Sequence, residues 1–172
     1  GLDFVKVDDL SAPYHKAEIE MIRKAIDKCG RAIVFSTSPG ATDPKMADHI
    51  SVNANMWRVS GDFWDRWRSL DKQFDLLSHW VGVGGPGHFP DADMIPFGHL
   101  GIRSWIAGKE RQSRFTPDEE KMLMTLWPLS ASPLMLGWNL PDTDPATLAL
   151  ITNDEVLAID QDPNGVAATR AV

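Results

Sequence analysis

Two hydrophobic rhythms alternate along the chain. Residues 2–7 read as a strand that buries Leu2, Phe4, Val5 and Val7 and carries Lys6, Asp8 and Asp9 at its tip. Ile19, Ile22 and Ile26 then fall on one face of a helix over residues 14–28, with Gly30 placed as its C′ residue. Residues 31–36, rich in Ile, Val and Phe, predict the next strand. Asp43 and Pro44 suit the N-cap and first position of a short helix that ends near residue 50. Residues 56–59 form a third strand, and Phe63, Trp67, Leu70, Phe74 and Leu77 mark a strong amphipathic helix. The glycine- and proline-rich stretch GVGGPGHFPDADM encloses a very short fourth strand. Thr116 and Glu119 have capping-box spacing, ahead of a helix that carries Met122, Leu126 and Leu129. Residues 130–136 predict a fifth strand; Asp144 and Pro145 open another helix, and NDEVLAIDQDP closes with a last helical turn.

Strands that alternate with helices, at roughly thirty residues per unit, argue for a parallel α/β sheet or barrel. A complete (β/α)8 TIM barrel needs about 250 residues. With 172 residues, this chain has room for about five such units. No internal repeat stands out, so a solenoid is excluded.

Composition narrows the class. The hydrophobic fraction of 43% supplies a core, which excludes a disordered chain. A net charge of −7 argues against nucleic acid as a partner. No apolar stretch approaches the length of a membrane span, so no membrane partner is expected. No signal peptide is visible in a chain that begins inside a strand without an initiator Met. The single Cys29 permits no internal disulfide and reads as a small buried or half-buried thiol. Seven tryptophans stand against one tyrosine, and most are expected in the core. Trp67 fits the buried stripe of its helix, and Trp57 points away from Arg58, under the helices; Trp64 and Trp80 have no assigned place.

The candidate chemistry lies at the strand tips. In a parallel α/β barrel, ligands sit at the C-terminal ends of the strands. Asp8 holds that position on the first strand, Asp62 lies just beyond the third, and Asp93 near the end of the fourth. Glycoside cleavage needs two facing carboxyls, one that attacks the anomeric carbon or activates water and one that protonates the departing oxygen. Lys6 beside Asp8 favours a charged attacking group, and Asp62 near an ionised Asp8 suits the proton donor. Spacing alone leaves the alternatives open. Asp62 also suits a helix cap, and Asp8, Asp9, Asp62, Asp91 and Asp93 are candidate ligands for a divalent cation. No histidine pair has metal-ligand spacing; His88 and His99 read as loop residues.

The segments GLDFVKVDDL, WRVSGDFWDRW, FPDADMIPFG, LWPLSASPLMLGWNL and EVLAIDQDPNG resemble, in this order, the second half of the catalytic barrel of glycoside hydrolase family 27. That family contains α-galactosidases and α-N-acetylgalactosaminidases. The resemblance spans nearly all of residues 1–172 and implies strands four to eight of a (β/α)8 barrel, a partial barrel without the N-terminal strands and without a C-terminal β-sandwich. It implies a retaining exo-glycoside hydrolase acting on terminal α-galactosyl-type residues. Asp8 matches the nucleophile of a K-x-D strand and Asp62 the acid/base of an R-x-x-x-D motif. Lys6 and Arg58 match residues that hydrogen-bond sugar hydroxyls, while Asp93 and Met94 match a D-P-D-M segment that closes the pocket, with Ala92 in place of its Pro. Ser38 and Ala41 lie near the loop that chooses between a 2-hydroxyl and a 2-acetamido group.

The implied partners are galactosides or related oligosaccharides, with no metal or organic cofactor. The missing barrel half would be needed for a complete pocket, so the segment is expected to be inactive alone. An α-N-acetylgalactosaminidase or β-L-arabinopyranosidase specificity, a non-catalytic carbohydrate-binding protein on the same fold, and a metal-dependent enzyme of another barrel family are the alternatives. Members of the resembling family are commonly secreted or lysosomal, which implies an exported (secreted, periplasmic or lysosomal) protein.

Overall fold

A computed structural model describes residues 1–103 and 108–169. Four strands, β1 (Phe4–Val7), β2 (Val34–Thr37), β3 (Met56–Arg58) and β4 (Phe89–Asp91), pair in that order into one sheet. Every neighbouring pair is parallel. Helices α1 (Lys16–Lys28), α2 (Ala47–Asn53) and α3 (Trp67–Ser78) make the crossovers between them. Parallel neighbours need such crossovers because a two-residue turn only joins antiparallel strands. A two-stranded antiparallel pair, β5 (His99–Leu100) and β6 (Arg111–Gln112), precedes α4 (Pro117–Leu129), α5 (Pro145–Ile151) and α6 (Asp154–Asp160).

The register explains the two faces of the sheet. Val7, Thr37 and Trp57 share one row. Together with Val5 and Phe35 they face the helices, where Ile19, Ile50, Leu70, Leu77 and Trp80 complete one apolar cluster. Trp57 is fully buried against Trp80, with ring centroids 5.6 Å apart. Burial of Phe35 or Leu70 stabilises the fold by about 1.5–3 kcal/mol each. The opposite face carries Lys6, Ser36, Met56, Arg58 and Asp91. One face is therefore oil and the other carries most of the charge.

Several local signals act as expected. Asp43 caps a 3-10 turn over Pro44–Met46 by accepting from Lys45 N, Thr116 and Glu119 form a reciprocal capping box, and Asp144 caps α5 through Ala146 N and Thr147 N.

Other expectations are corrected. Leu2 and Phe4 are exposed rather than buried, because Phe4 pairs with Val34 on the sheet face that the helices do not cover. The third long helix starts at Trp67, not Phe63, and buries Leu70, Gln73 and Leu77; Trp67 and Phe74 are exposed. The buried side of α4 is Leu123, Met124 and Trp127, whereas Met122 and Leu129 face outward. Cys29 is exposed at the C-cap of α1. The expected fifth strand is reduced to a single parallel bridge between Ile95 and Leu136. Ala131 with φ of +51° and Pro133 interrupt the extended run before it.

Candidate active site

The polar strand ends meet at Arg58. Its side chain is 1% exposed, so its charge needs partners close by. Nη2 lies 2.8 Å from Asp93 Oδ2 and donates to Asp62 Oδ1 at 3.4 Å; Nη1 donates to Ser38 Oγ at 3.4 Å. One guanidinium thus ties together the segments that follow β2, β3 and β4.

Asp93 reaches this position through unusual backbone geometry. Its φ is +78°, a left-handed conformation that costs a non-glycine residue about 1–3 kcal/mol. The turn lets Asp93 N donate to Asp91 Oδ1 at 2.8 Å while Asp93 Oδ2 accepts from Phe63 N at 2.7 Å. Trp127 Nε1 donates to Asp93 O at 3.0 Å and holds the bend from below. Asp9, at the end of β1, is also left-handed, with φ of +61°. Such strain persists only where surrounding contacts hold it, and it concentrates at functional sites.

Burial pushes the carboxyls of Asp91 and Asp93 above the usual carboxylate range, while the charges of Arg58 and Lys6 pull both back. Lys6 therefore acts electrostatically across the sheet, from β1 to the end of β4. Asp8 follows β1 and is exposed. Its loop is fixed to the next strand, because Ser38 N donates to Val7 O at 3.0 Å and Leu10 N to Ser38 O at 3.2 Å. Asp62 stands at the rim with 57% of its side chain exposed. It does not cap α3, whose N-cap position is Arg66. Met94 packs on Gly137; a Cβ there would stand 2.5 Å from Met94 Sδ, so only glycine fits.

The structure thus joins Ser38, Arg58, Asp62 and Asp93 by direct contact, and brings Lys6 within electrostatic reach of Asp93. Asp8 and Met94 lie at the ends of the strand segments that flank this cluster. Among the described residues, no group of three His, Cys, Asp or Glu side chains is arranged to hold a metal ion. Asp8, Asp9, Asp62, Asp91 and Asp93 therefore do not form the cation site that their spacing allowed. Asp62 stands exposed at the rim of the buried Arg58–Asp93 pair, and Asp8 is exposed beyond the end of β1.

Asp91, read from the sequence only as a candidate cation ligand, is instead buried in register with Arg58. One residue escaped the sequence reading. Asp65 is fully buried and accepts from Arg111 and from Arg114 N, the latter at 2.9 Å. Those partners lie 46 and 49 residues away, beyond the reach of any local pattern.

His99 was expected in a loop but begins β5. Nδ1 lies 2.8 Å from Asp142 Oδ2 and Nε2 lies 2.9 Å from Glu110 Oε1. Asp142 chiefly, and Glu110 with it, raises the imidazole above its ordinary value. A raised value means that this clasp is fully present below the unfolded histidine's pKa, about 6.5, and is lost as pH rises through the folded value. Amide exchange at β5 and β6 is therefore expected to quicken as pH rises past that point, after correction for intrinsic exchange. His99→Gln should abolish this pH dependence; if it persists, another group controls the hairpin.

Comparison with known proteins places this geometry. The family model described as Alpha galactosidase A matches residues 1–162. The chain is 30% identical over 169 residues to Alpha-galactosidase 2 of Arabidopsis thaliana, covering 96% of this chain and 39% of that protein. It is 31% identical to the Alpha-N-acetylgalactosaminidase of Rattus norvegicus, with the same two coverages of 96% and 39%. The crystal structure of a GH27 β-L-arabinopyranosidase from Geobacillus stearothermophilus is 52% identical and superposes with a TM-score of 0.91, over 94% of this chain and 38% of that one. The chain thus spans about two fifths of the length of these relatives. Parallel strands joined by helices, over that share of the length, fit part of a TIM barrel. The matched model and these relatives place the chain in the Alpha galactosidase A family, within glycoside hydrolase family 27.

Proposed function

We propose that the protein containing this chain is a retaining exo-glycoside hydrolase that removes terminal α-galactosyl-type residues by double displacement. The chain contributes strands four to eight of a (β/α)8 barrel, as the C-terminal part of the catalytic domain. The observation that carries this reading is the buried Arg58 bound to Ser38, Asp62 and Asp93 at the C-terminal ends of parallel strands. Such ends are where barrel enzymes place their chemistry.

In this reading Asp8 attacks the anomeric carbon while Asp62 gives its proton to the leaving oxygen. The glycosidic bond breaks, and an ester forms between the sugar and Asp8. Asp62, now ionised, takes a proton from water as that water attacks the ester, which releases the sugar and restores both groups. Lys6, Arg58, Ser38 and Asp93 hold sugar hydroxyls, and Met94 walls the pocket. Arg58 serves twice, because the cation that orients Asp62 also fixes Asp93. The strands that precede this segment in a full barrel supply the rest of the pocket, so the segment alone is expected to be inactive.

Asp62→Ala should slow substrates with poor leaving groups far more than aryl glycosides with activated ones, by about a hundredfold in relative kcat/KM. An activated leaving group needs little protonation. Equal losses on both kinds of substrate would remove Asp62 from the acid role.

A second reading concerns the sugar. Identity to the Geobacillus stearothermophilus β-L-arabinopyranosidase is 52%, against 30% and 31% for the α-galactosidase and α-N-acetylgalactosaminidase above. The two pyranose rings share their geometry and differ by a hydroxymethyl group. Comparison of kcat/KM on aryl β-L-arabinopyranoside, α-D-galactopyranoside and the 2-acetamido galactoside decides among them.

A further inference from the structure

A second link, besides Arg58, joins the loop that carries Asp62 to the segment that carries Asp93. Gln73 stands between Leu70 and Leu77 on the buried side of α3 and is 1% exposed. An apolar residue is the usual occupant of such a position, and a buried amide is unfavourable unless it is hydrogen-bonded. Gln73 Nε2 donates to Ser60 Oγ at 2.9 Å and to Ala92 O at 3.1 Å. A backbone carbonyl only accepts, so Ala92 O fixes which end of the amide faces the two loops. Gln73 Oε1 is buried and makes no hydrogen bond among the described residues. The two bonds of the nitrogen are therefore what this side chain supplies.

We propose that Gln73 is a positioning residue: its amide nitrogen sets the Asp62 loop against the Asp93 segment, and so fixes how the two carboxylates share Arg58. The effect on the reaction rests on the glycosidase reading; the tie itself does not. Ser60 is two residues before Asp62 and donates to Gly61 O at 2.8 Å, so the nitrogen grips the base of that loop. Ala92 directly precedes Asp93.

The two ends of the tie differ in what else holds them. Asp91 O accepts from Val59 N at 3.0 Å, Ala92 N donates to Ser132 Oγ at 2.9 Å, and Asp93 O accepts from Trp127 Nε1 at 3.0 Å. Trp127 lies in the last turns of α4, and the left-handed Ala131 leads the chain into Ser132. Without Gln73, the Asp93 segment keeps all three of these bonds. The Asp62 loop keeps the bond from Phe63 N to Asp93 Oδ2 and the 3.4 Å contact of Asp62 with Arg58, which is longer than the 2.8 Å contact of Asp93. Loss of the tie therefore falls on Asp62, and so on proton donation to the leaving group.

The test uses two variants of the full-length protein. Gln73→Leu removes both donors and suits the stripe of Leu70 and Leu77, and Ser60→Ala removes one end of the tie while α3 stays intact. Hydrogen exchange comes first. Backbone amides of residues 59–66 should exchange about tenfold faster in either variant, with α1 unchanged. Unaltered protection there would overturn the tie. Exchange is read whether or not any bond is cleaved, so the tie fails separately from the hydrolase reading. Kinetics then tests the role. Each variant should lose about tenfold more kcat/KM on substrates with poor leaving groups than on activated aryl glycosides. A merely structural role would lower both equally, and that result would refute the positioning role. The double variant should be no slower than Gln73→Leu alone, because the two changes break one link. Additive losses would show that Ser60 and Gln73 act separately, and would again refute the proposal.

Discussion

Asp8→Asn in the full-length protein is expected to lower kcat on the order of a thousandfold or more, with folding intact. The folding half of the expectation comes from position. Asp8 is exposed beyond the end of β1, and the loop there is held by the backbone bonds of Val7 and Leu10 to Ser38. The side chain can therefore change without loss of a buried contact. The catalytic half comes from chemistry. An amide at this position cannot attack the anomeric carbon and leave a hydrolysable ester, so the first displacement stops. Steady-state turnover, together with a thermal melt of the same preparation, separates the two halves. Ordinary activity in the variant would remove Asp8 from the nucleophile role and return it to the role of a turn residue.

Arg58→Met should be the most destabilising single change at the site, by about 3–5 kcal/mol, because it leaves a buried carboxylate without its cation. Asp93 is 12% exposed, and it would keep the backbone N–H groups of Phe63 and Met94 and the more distant charge of Lys6 as compensation. The deficit depends on pH, and its sign follows from the titration. Burial already raises Asp93. A raised group contributes stability that is full below its unfolded value, about 3.9, and is lost as pH rises through the folded value. Removal of Arg58 raises Asp93 further. The penalty is therefore greatest at neutral pH and shrinks as acid protonates Asp93 in both states. Urea denaturation at pH 7 and at pH 5 measures this. Arg58→Met combined with Asp93→Asn should recover much of the loss, since both members of the buried pair are then neutral. No recovery, or a penalty independent of pH, would show that Arg58 stabilises through packing alone.

The helix caps were legible because a cap is a local event. Asp43, Thr116 and Asp144 each bond to a backbone N–H within three residues, so the pattern and the bond occupy the same few positions. Gly30 with φ of +63° ends α1 for the same local reason. Burial was legible only where a stripe faces the expected partner. Ile19 and Ile26 obey their helical spacing, but Trp67 and Phe74 do not, because α3 starts after a loop anchored by buried Asp65. The helix therefore presents Leu70, Gln73 and Leu77 inward.

The sequence by itself determined the alternation of strands and helices, the acidic tips at Asp8, Asp62 and Asp93, and the family signature that spans them. Side-chain periodicity and short-range hydrogen bonds are functions of neighbouring residues, so a linear reading reaches them. The tertiary structure decided which of these groups meet. Arg58 binds Ser38 from 20 residues before it and Asp93 from beyond the next crossover, and Asp65 binds Arg111 at a separation of 46. Those pairs exist because parallel register sets Arg58 opposite Asp91 and because a left-handed turn swings Asp93 back over β3. No spacing in the chain encodes either event.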